Sequence, residues 1–140
     1  MTEDPFGNLR DWGPVLERLE ELAAAGRLHQ FQAGLIRILR FRGNWRLREA
    51  VLKHLEGVSR PSEALIAEVV RLVADDNTYY EARIMAAKAL VAMMRDEKGK
   101  KTESQPVQAR AVADRIRHLR QIPQPPLFSQ VLDRCLAELA

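Results

Sequence analysis

Cysteine occurs once in this chain, at Cys135. A lone thiol excludes an internal disulfide and fits a reducing compartment. Long apolar runs are missing as well, and no stretch approaches the ~18 residues a membrane span needs. The opening MTEDPFGNLRDWG is acidic and lacks an apolar centre, so no signal peptide is expected and a cytoplasmic location is. No segment alternates apolar and polar residues with a period of two, which removes strands from the expected architecture. There is no glycine-rich phosphate loop and no Gly-x-Ser-x-Gly elbow. His29, His54 and His118 stand far apart, without the spacing that puts two ligands on one helical face. Cys135 lies on an apolar stripe, where cysteine behaves as a small hydrophobe. Asp75-Asp76 reads as a turn and not as a catalytic carboxylate pair. No catalytic residue, metal ligand or cofactor is therefore expected.

What the chain does have is helical periodicity. At 140 residues it fits one domain and can bury about two-thirds of its unfolded surface. Apolar residues recur every three or four positions through seven segments. The first begins after Gly13 with Pro14 in its first turn, presents Val15, Leu16, Leu19, Leu22 and Ala23, and ends at Gly26. The second, about 28–42, presents Leu28, Phe31, Leu35, Ile38 and Leu39. Its mid-helix Gly34 costs ~1 kcal/mol against Ala unless a neighbour packs close. Asn44 caps the third, about 45–57, which buries Trp45, Leu47, Val51, Leu52 and Leu55. The fourth opens at Ser59-Arg60-Pro61. The fifth starts with Thr78 and Glu81 at capping-box spacing and runs to about Arg95. Residues 96–105, DEKGKKTESQ, have no apolar member and are expected to form a mobile loop. The sixth starts at Pro106. IPQPP cannot lie inside a helix, so the seventh covers about 127–139 and shows Leu127, Phe128, Val131, Leu132, Cys135, Leu136 and Leu139. Pro123 and Pro126 also have PxxP spacing, although a stiff connector explains them more simply.

Two of these segments echo each other. NWRLREAVLKHL (44–55) and YYEARIMAAKAL (79–90) share Arg48 and Arg83, then a small apolar pair, a Lys and a Leu. A shift of about 35 also carries Gly26 onto Pro61 and Trp45 onto Tyr80, so the breaks coincide with the stripes. A shift near 45 brings Pro61 onto Pro106 and places Phe128 at the arginine position. A helix pair of this length, with Asp75 and Asp76 in its turn and Arg83 in its second helix, resembles the HEAT repeat. DDNTYYEARIMAAKAL carries the likeness best; the first pair keeps Arg48 alone, and the third keeps neither residue type.

The resemblance implies an all-α, right-handed superhelical solenoid: a cap (1–26), repeats at 27–58, 59–95 and 106–140, and the loop 96–105, in one domain spanning 1–140. Stacking is what would bury the face a single pair leaves open. It also implies that the turn aspartates and the second-helix arginine form a ladder, and that the second helices line a concave docking surface. On helices three and five that surface would present Arg46, Glu49 and Lys53, then Glu81, Ile84 and Lys88, with Ile84 and Val91 as an apolar strip. The expected work is that of a scaffold for a protein or peptide, in a monomer or weak homo-oligomer without a membrane role.

Charge supplies the alternative. Residues 27–60 hold eight basic side chains against two acidic ones, and 98–120 hold seven against two, whereas 1–26 and 61–97 are net acidic. Arg37, Arg40 and Arg42 lie around the second turn near Trp45, and Arg117 and Arg120 sit on the sixth helix beside Arg110 and Arg115. These are candidate anion or nucleic-acid contacts. The acidic stretch between the two basic regions breaks the track, so a solvated face with Arg48 and Arg83 held structurally is the simpler reading.

Overall fold

Each stripe becomes a helix where the chain supplies a start and a stop. A computed structural model describes residues 4–97 and 105–139. Among the described residues there are seven α-helices and no strand: α1 Trp12–Ala24, α2 Gln32–Arg40, α3 Trp45–His54, α4 Glu63–Ala74, α5 Tyr80–Glu97, α6 Gln105–Arg120 and α7 Pro126–Leu139. Two 3₁₀ turns, Leu28–Phe31 and Leu55–Gly57, lead into α2 and out of α3. Of the segment expected as a loop, Asp96 and Glu97 continue α5 and Gln105 opens α6. The remainder lies outside the described residues, and Lys98, Lys100 and Lys101 with it.

Capping explains the boundaries. Gly26 takes φ +68°, its N–H donates to Ala23 O at 3.1 Å, and the Arg27 N–H donates to Leu22 O at 2.9 Å. That closes two orphan carbonyls of α1 in a left-handed turn that favours glycine. Asn44 Oδ1 accepts from the Arg46 N–H at 3.0 Å. Helix α4 starts later than Pro61 because Ser62 Oγ caps the Leu65 N–H at 3.1 Å. At α7, Pro126 occupies the first turn, where its missing N–H is harmless. Pro126 therefore belongs to the helix, and Pro123 to the connector before it.

The chain divides into two compact units, Met1–Glu68 and Val69–Ala140, with the division inside α4 and so inside the second expected repeat. In the first unit α1 and α2 both pack on α3. Ala23, in the last turn of α1, lines the same small hollow as Lys53 and His54, at the end of α3. The two helices therefore run in the same direction. Val15, Leu19, Leu35, Ile38, Leu47 and Leu55 make the core. Phe6 and Leu9, which no periodicity marks, are buried with them.

Phe6 answers the question raised by Gly34. A Cβ at Gly34 would lie 2.7 Å from the Phe6 ring and 3.0 Å from Asp4 Oδ1. The mid-helix glycine is the berth of the N-terminal segment, which Arg37 also holds through Asp4 and through Gly7 O at 2.8 Å. Gly34→Ala should therefore fail to give the ~1 kcal/mol gain of an ordinary helical glycine. A loss of roughly 1–2 kcal/mol in urea unfolding is expected, since the buried ring must move. The hydrogen bond from Arg37 holds the Asp4 carboxyl below its usual 3.8. Its contribution is thus complete above that pH and fades as pH falls through the lowered value. Exchange of the Phe6 N–H, which donates to Asp4 Oδ1 at 3.0 Å, should accelerate over that acid range and not before.

In the second unit α7 packs on both α5 and α6. Tyr80 meets Phe128 with ring centroids 5.4 Å apart, and Cys135 Sγ lies 3.4 Å from Ala87 O. Both pairs are offset by 48 residues, so α5 and α7 run parallel. Ala82, Ala86 and Ala87 on α5 are buried and small, which lets the helices approach. The corner between α6 and α7 is closed by Gln124, whose side chain donates to Leu119 O at 3.2 Å.

Two expected core residues point elsewhere. Trp45 is 49% exposed: it is the first residue of α3 and sits ~110° around the helix from the centre of the inward positions 47, 51 and 52, at the edge of the buried stripe. Leu127 is 68% exposed for the same reason: Phe128, Leu132 and Cys135 hold the inward stripe of α7.

Candidate interaction surfaces

The expected docking residues divide between the units. On α3, Arg46 and Lys53 are exposed and Glu49 is half-buried. On α5, Glu81 and Lys88 are exposed, while Ile84 and Val91 are half-buried. Ile84, Lys88 and Val91 follow one another at four and three residues, so they form one strip along α5. The apolar members are more covered than an open strip would be.

Four of the five arginines expected to contact anions are engaged with carboxylates. Arg37 pairs with Asp4. Arg40 Nε lies 3.0 Å from Oε2 of Glu68, a carboxylate only 3% exposed. Arg117 Nη1 lies 2.6 Å from Asp114, one turn back on α6. Arg120 grips Asp133 of α7 through two contacts of 2.7 and 3.3 Å, which raises the pKa of its guanidinium further. Arg42 is exposed and also has a partner. An ion pair of this kind contributes little to stability, but its cation is already matched.

Arg83 and Arg48, alike in the sequence, differ in the fold. Arg83 is buried, and its Nε donates to Val73 O at 2.9 Å near the end of α4. Its Nη2 lies 3.9 Å from Asp76 and has no hydrogen-bond partner among the described residues. The guanidinium stacks over Phe128 at 4.5 Å and over Tyr80 at 5.0 Å. Arg48 is half-buried and makes no hydrogen bond or ion pair among the described residues.

His54 is half-buried and, with Lys53, Glu56 and Gly57, lines the hollow of about 150 Å³ between the ends of α1 and α3. No group of three or more potential metal ligands occurs among the described residues. Burial, with a smaller push from Glu138, raises the Cys135 thiol to about 11. Because the thiolate is the reactive form, native protein at pH 8 should resist a disulfide reagent that labels the unfolded chain within minutes. Rapid native labelling would place Cys135 in an opened helix.

Several features carry no sequence signal. Glu68 looks like an ordinary helical surface acid, and its partner Arg40 is 28 residues away. Trp12 is 47% exposed at the start of α1. No helix among the described residues is long and apolar enough to cross a membrane. Compared with protein-family models, curated proteins and solved structures, the chain matches none of them.

Proposed function

We infer that the chain is a short HEAT-like scaffold, a right-handed superhelix of one cap helix and three helix pairs, and that it binds a protein or peptide without catalysing a reaction. The observation that carries this is the parallel packing of α5 on α7, in which Tyr80 meets Phe128 and Ala87 meets Cys135. Second helices of successive repeats stack in that way, and α1 beside α3 is a second instance. The docking face would comprise Arg46, Glu49 and Lys53 on α3 and Glu81, Ile84 and Lys88 on α5. A preformed helical surface loses little conformational freedom on binding, which is the physical advantage of such a scaffold. The single reduced cysteine suits a cytoplasmic setting. The ion-paired state of Arg37, Arg40, Arg117 and Arg120 lowers the nucleic-acid reading below this one.

Affinity capture with the wild-type chain and with Ile84→Asp and Lys88→Glu tests the reading. A partner retained by the wild type and lost by both variants, with unchanged circular dichroism and melting temperature, is the expected result. Titrating labelled DNA and RNA at physiological salt tests the rival. Micromolar binding there would replace the scaffold reading.

A further inference from the structure

Residues 4–7, Asp-Pro-Phe-Gly, precede α1 and belong to no helix. Two residues of α2, one turn apart, receive them. Gly34 leaves room for the Phe6 ring, and Arg37 pairs with Asp4 and donates to Gly7 O at 2.8 Å. Asp4 Oδ1 accepts from the Phe6 N–H at 3.0 Å, so one carboxylate both shapes the turn and meets the arginine. Phe6 is buried, Pro5 half-buried, and Asp4, Gly7 and Arg37 are exposed.

That is the geometry of a bound peptide. An aromatic anchor fills a notch on a helix, and a guanidinium beside it takes a carboxylate and a backbone carbonyl. The receiving half does not rely on the segment, because Leu35, Ile38 and Leu39 fasten α2 to the core. A glycine in mid-helix costs ~1 kcal/mol against alanine, and the ring is what Gly34 accommodates.

We propose that the Gly34–Arg37 notch is a recognition site for a partner peptide with an acid two residues before a Phe-Gly turn, and that residues 4–7 cover it in cis. The covering segment itself displays the chemistry of the occupant. An anion alone would use Arg37 and leave the notch empty. A tethered segment acts at an effective concentration on the order of millimolar, so a partner has to displace it. The proposal goes beyond the scaffold reading, since it concerns the first unit by itself and does not depend on how the helix pairs stack.

The probe is the acetylated peptide DPFGNL, residues 4–9, labelled at its far end and followed by fluorescence anisotropy. The host is the full chain with Phe6→Ala, which uncovers the notch; circular dichroism and a cooperative melt check its fold. Asp4→Arg is a second host, since it repels Arg37 and keeps every core side chain. Saturable binding to Phe6→Ala is expected, at least tenfold tighter than to the wild type, with Asp4→Arg between them. If Phe6→Ala does not melt cooperatively, Asp4→Arg is compared with the wild type in its place. A peptide with Ala for Phe should lose at least tenfold, as should hosts that also carry Gly34→Leu or Arg37→Gln. Unchanged anisotropy up to about 1 mM peptide with a folded host overturns the proposal. So does equal affinity for the two peptides, or equal affinity of host and wild type. A wild-type dimer dissolved by Phe6→Ala overturns it as well, since the notch would then serve a second copy. Binding that is lost in Ile84→Asp and kept in Gly34→Leu overturns it while upholding the scaffold reading.

Discussion

Arg83→Ala is expected to lower the unfolding free energy by roughly 3–5 kcal/mol, one of the two largest effects anticipated for a single change in this chain. Three losses combine. The Val73 carbonyl, near the end of α4, loses its 2.9 Å donor, and a buried acceptor without a partner costs about 1–3 kcal/mol. The cation leaves the faces of Phe128 and Tyr80, a contact that reaches ~2 kcal/mol when desolvated. A cavity then replaces a side chain that was 2% exposed. One term opposes these: Nη2 is buried without a hydrogen bond, and Asp76 at 3.9 Å is too exposed to compensate it fully. Arg83→Met separates the contributions, because it keeps the stem volume and removes the charge. A loss of about 1–3 kcal/mol is expected for Met. Urea unfolding followed by circular dichroism measures both variants. Equal losses would mean that polar contacts dominate, and a loss below ~1 kcal/mol for Ala would show that Arg83 is not a latch joining α4, α5 and α7.

Phe128→Ala is expected to cost a similar ~3–5 kcal/mol, since the ring is wholly buried between Tyr80 and Arg83. The sharper variant is Phe128→Arg. A shift near 45 aligns Phe128 with Arg83, so repeat averaging would favour arginine there. The contact geometry predicts the reverse outcome, because a second guanidinium would be buried against the first. Phe128→Arg should therefore unfold at lower urea than Phe128→Ala. The combined Arg83→Ala, Phe128→Ala chain should fall short of additivity by about 0.5–2 kcal/mol, the coupling of two touching groups. Strict additivity would show that the stacking contributes nothing.

Much of the secondary structure was legible. All seven helices stand where the three-and-four spacing put them, and the Asn44 cap and Gly26 stop act as their residue types require. These features are local: a cap or a stripe is complete within a few residues, so the chain states it directly. Ser62 in place of Ser59 as the start of α4 is a small error of the same local kind. Failures began where a residue's role depends on a distant partner. Trp45 and Leu127 look like core by type, yet the helix rotation set by packing turns them outward. Arg37, Arg40, Arg117 and Arg120 stood as candidate anion contacts beside the simpler reading of a solvated face, and only the fold shows the carboxylate that each one faces.

By itself the sequence determined that this chain is helical, where its helices begin and end, and which stripe most of them bury. Those properties follow from hydrogen bonds and side-chain spacing within one or two turns. Only the tertiary structure decided that Gly34 makes room for Phe6, that Arg83 rather than Arg48 is the buried latch, and that both tryptophans remain at the surface. Each of these depends on contacts between segments that periodicity does not link, and a periodic pattern carries no information about which faces meet.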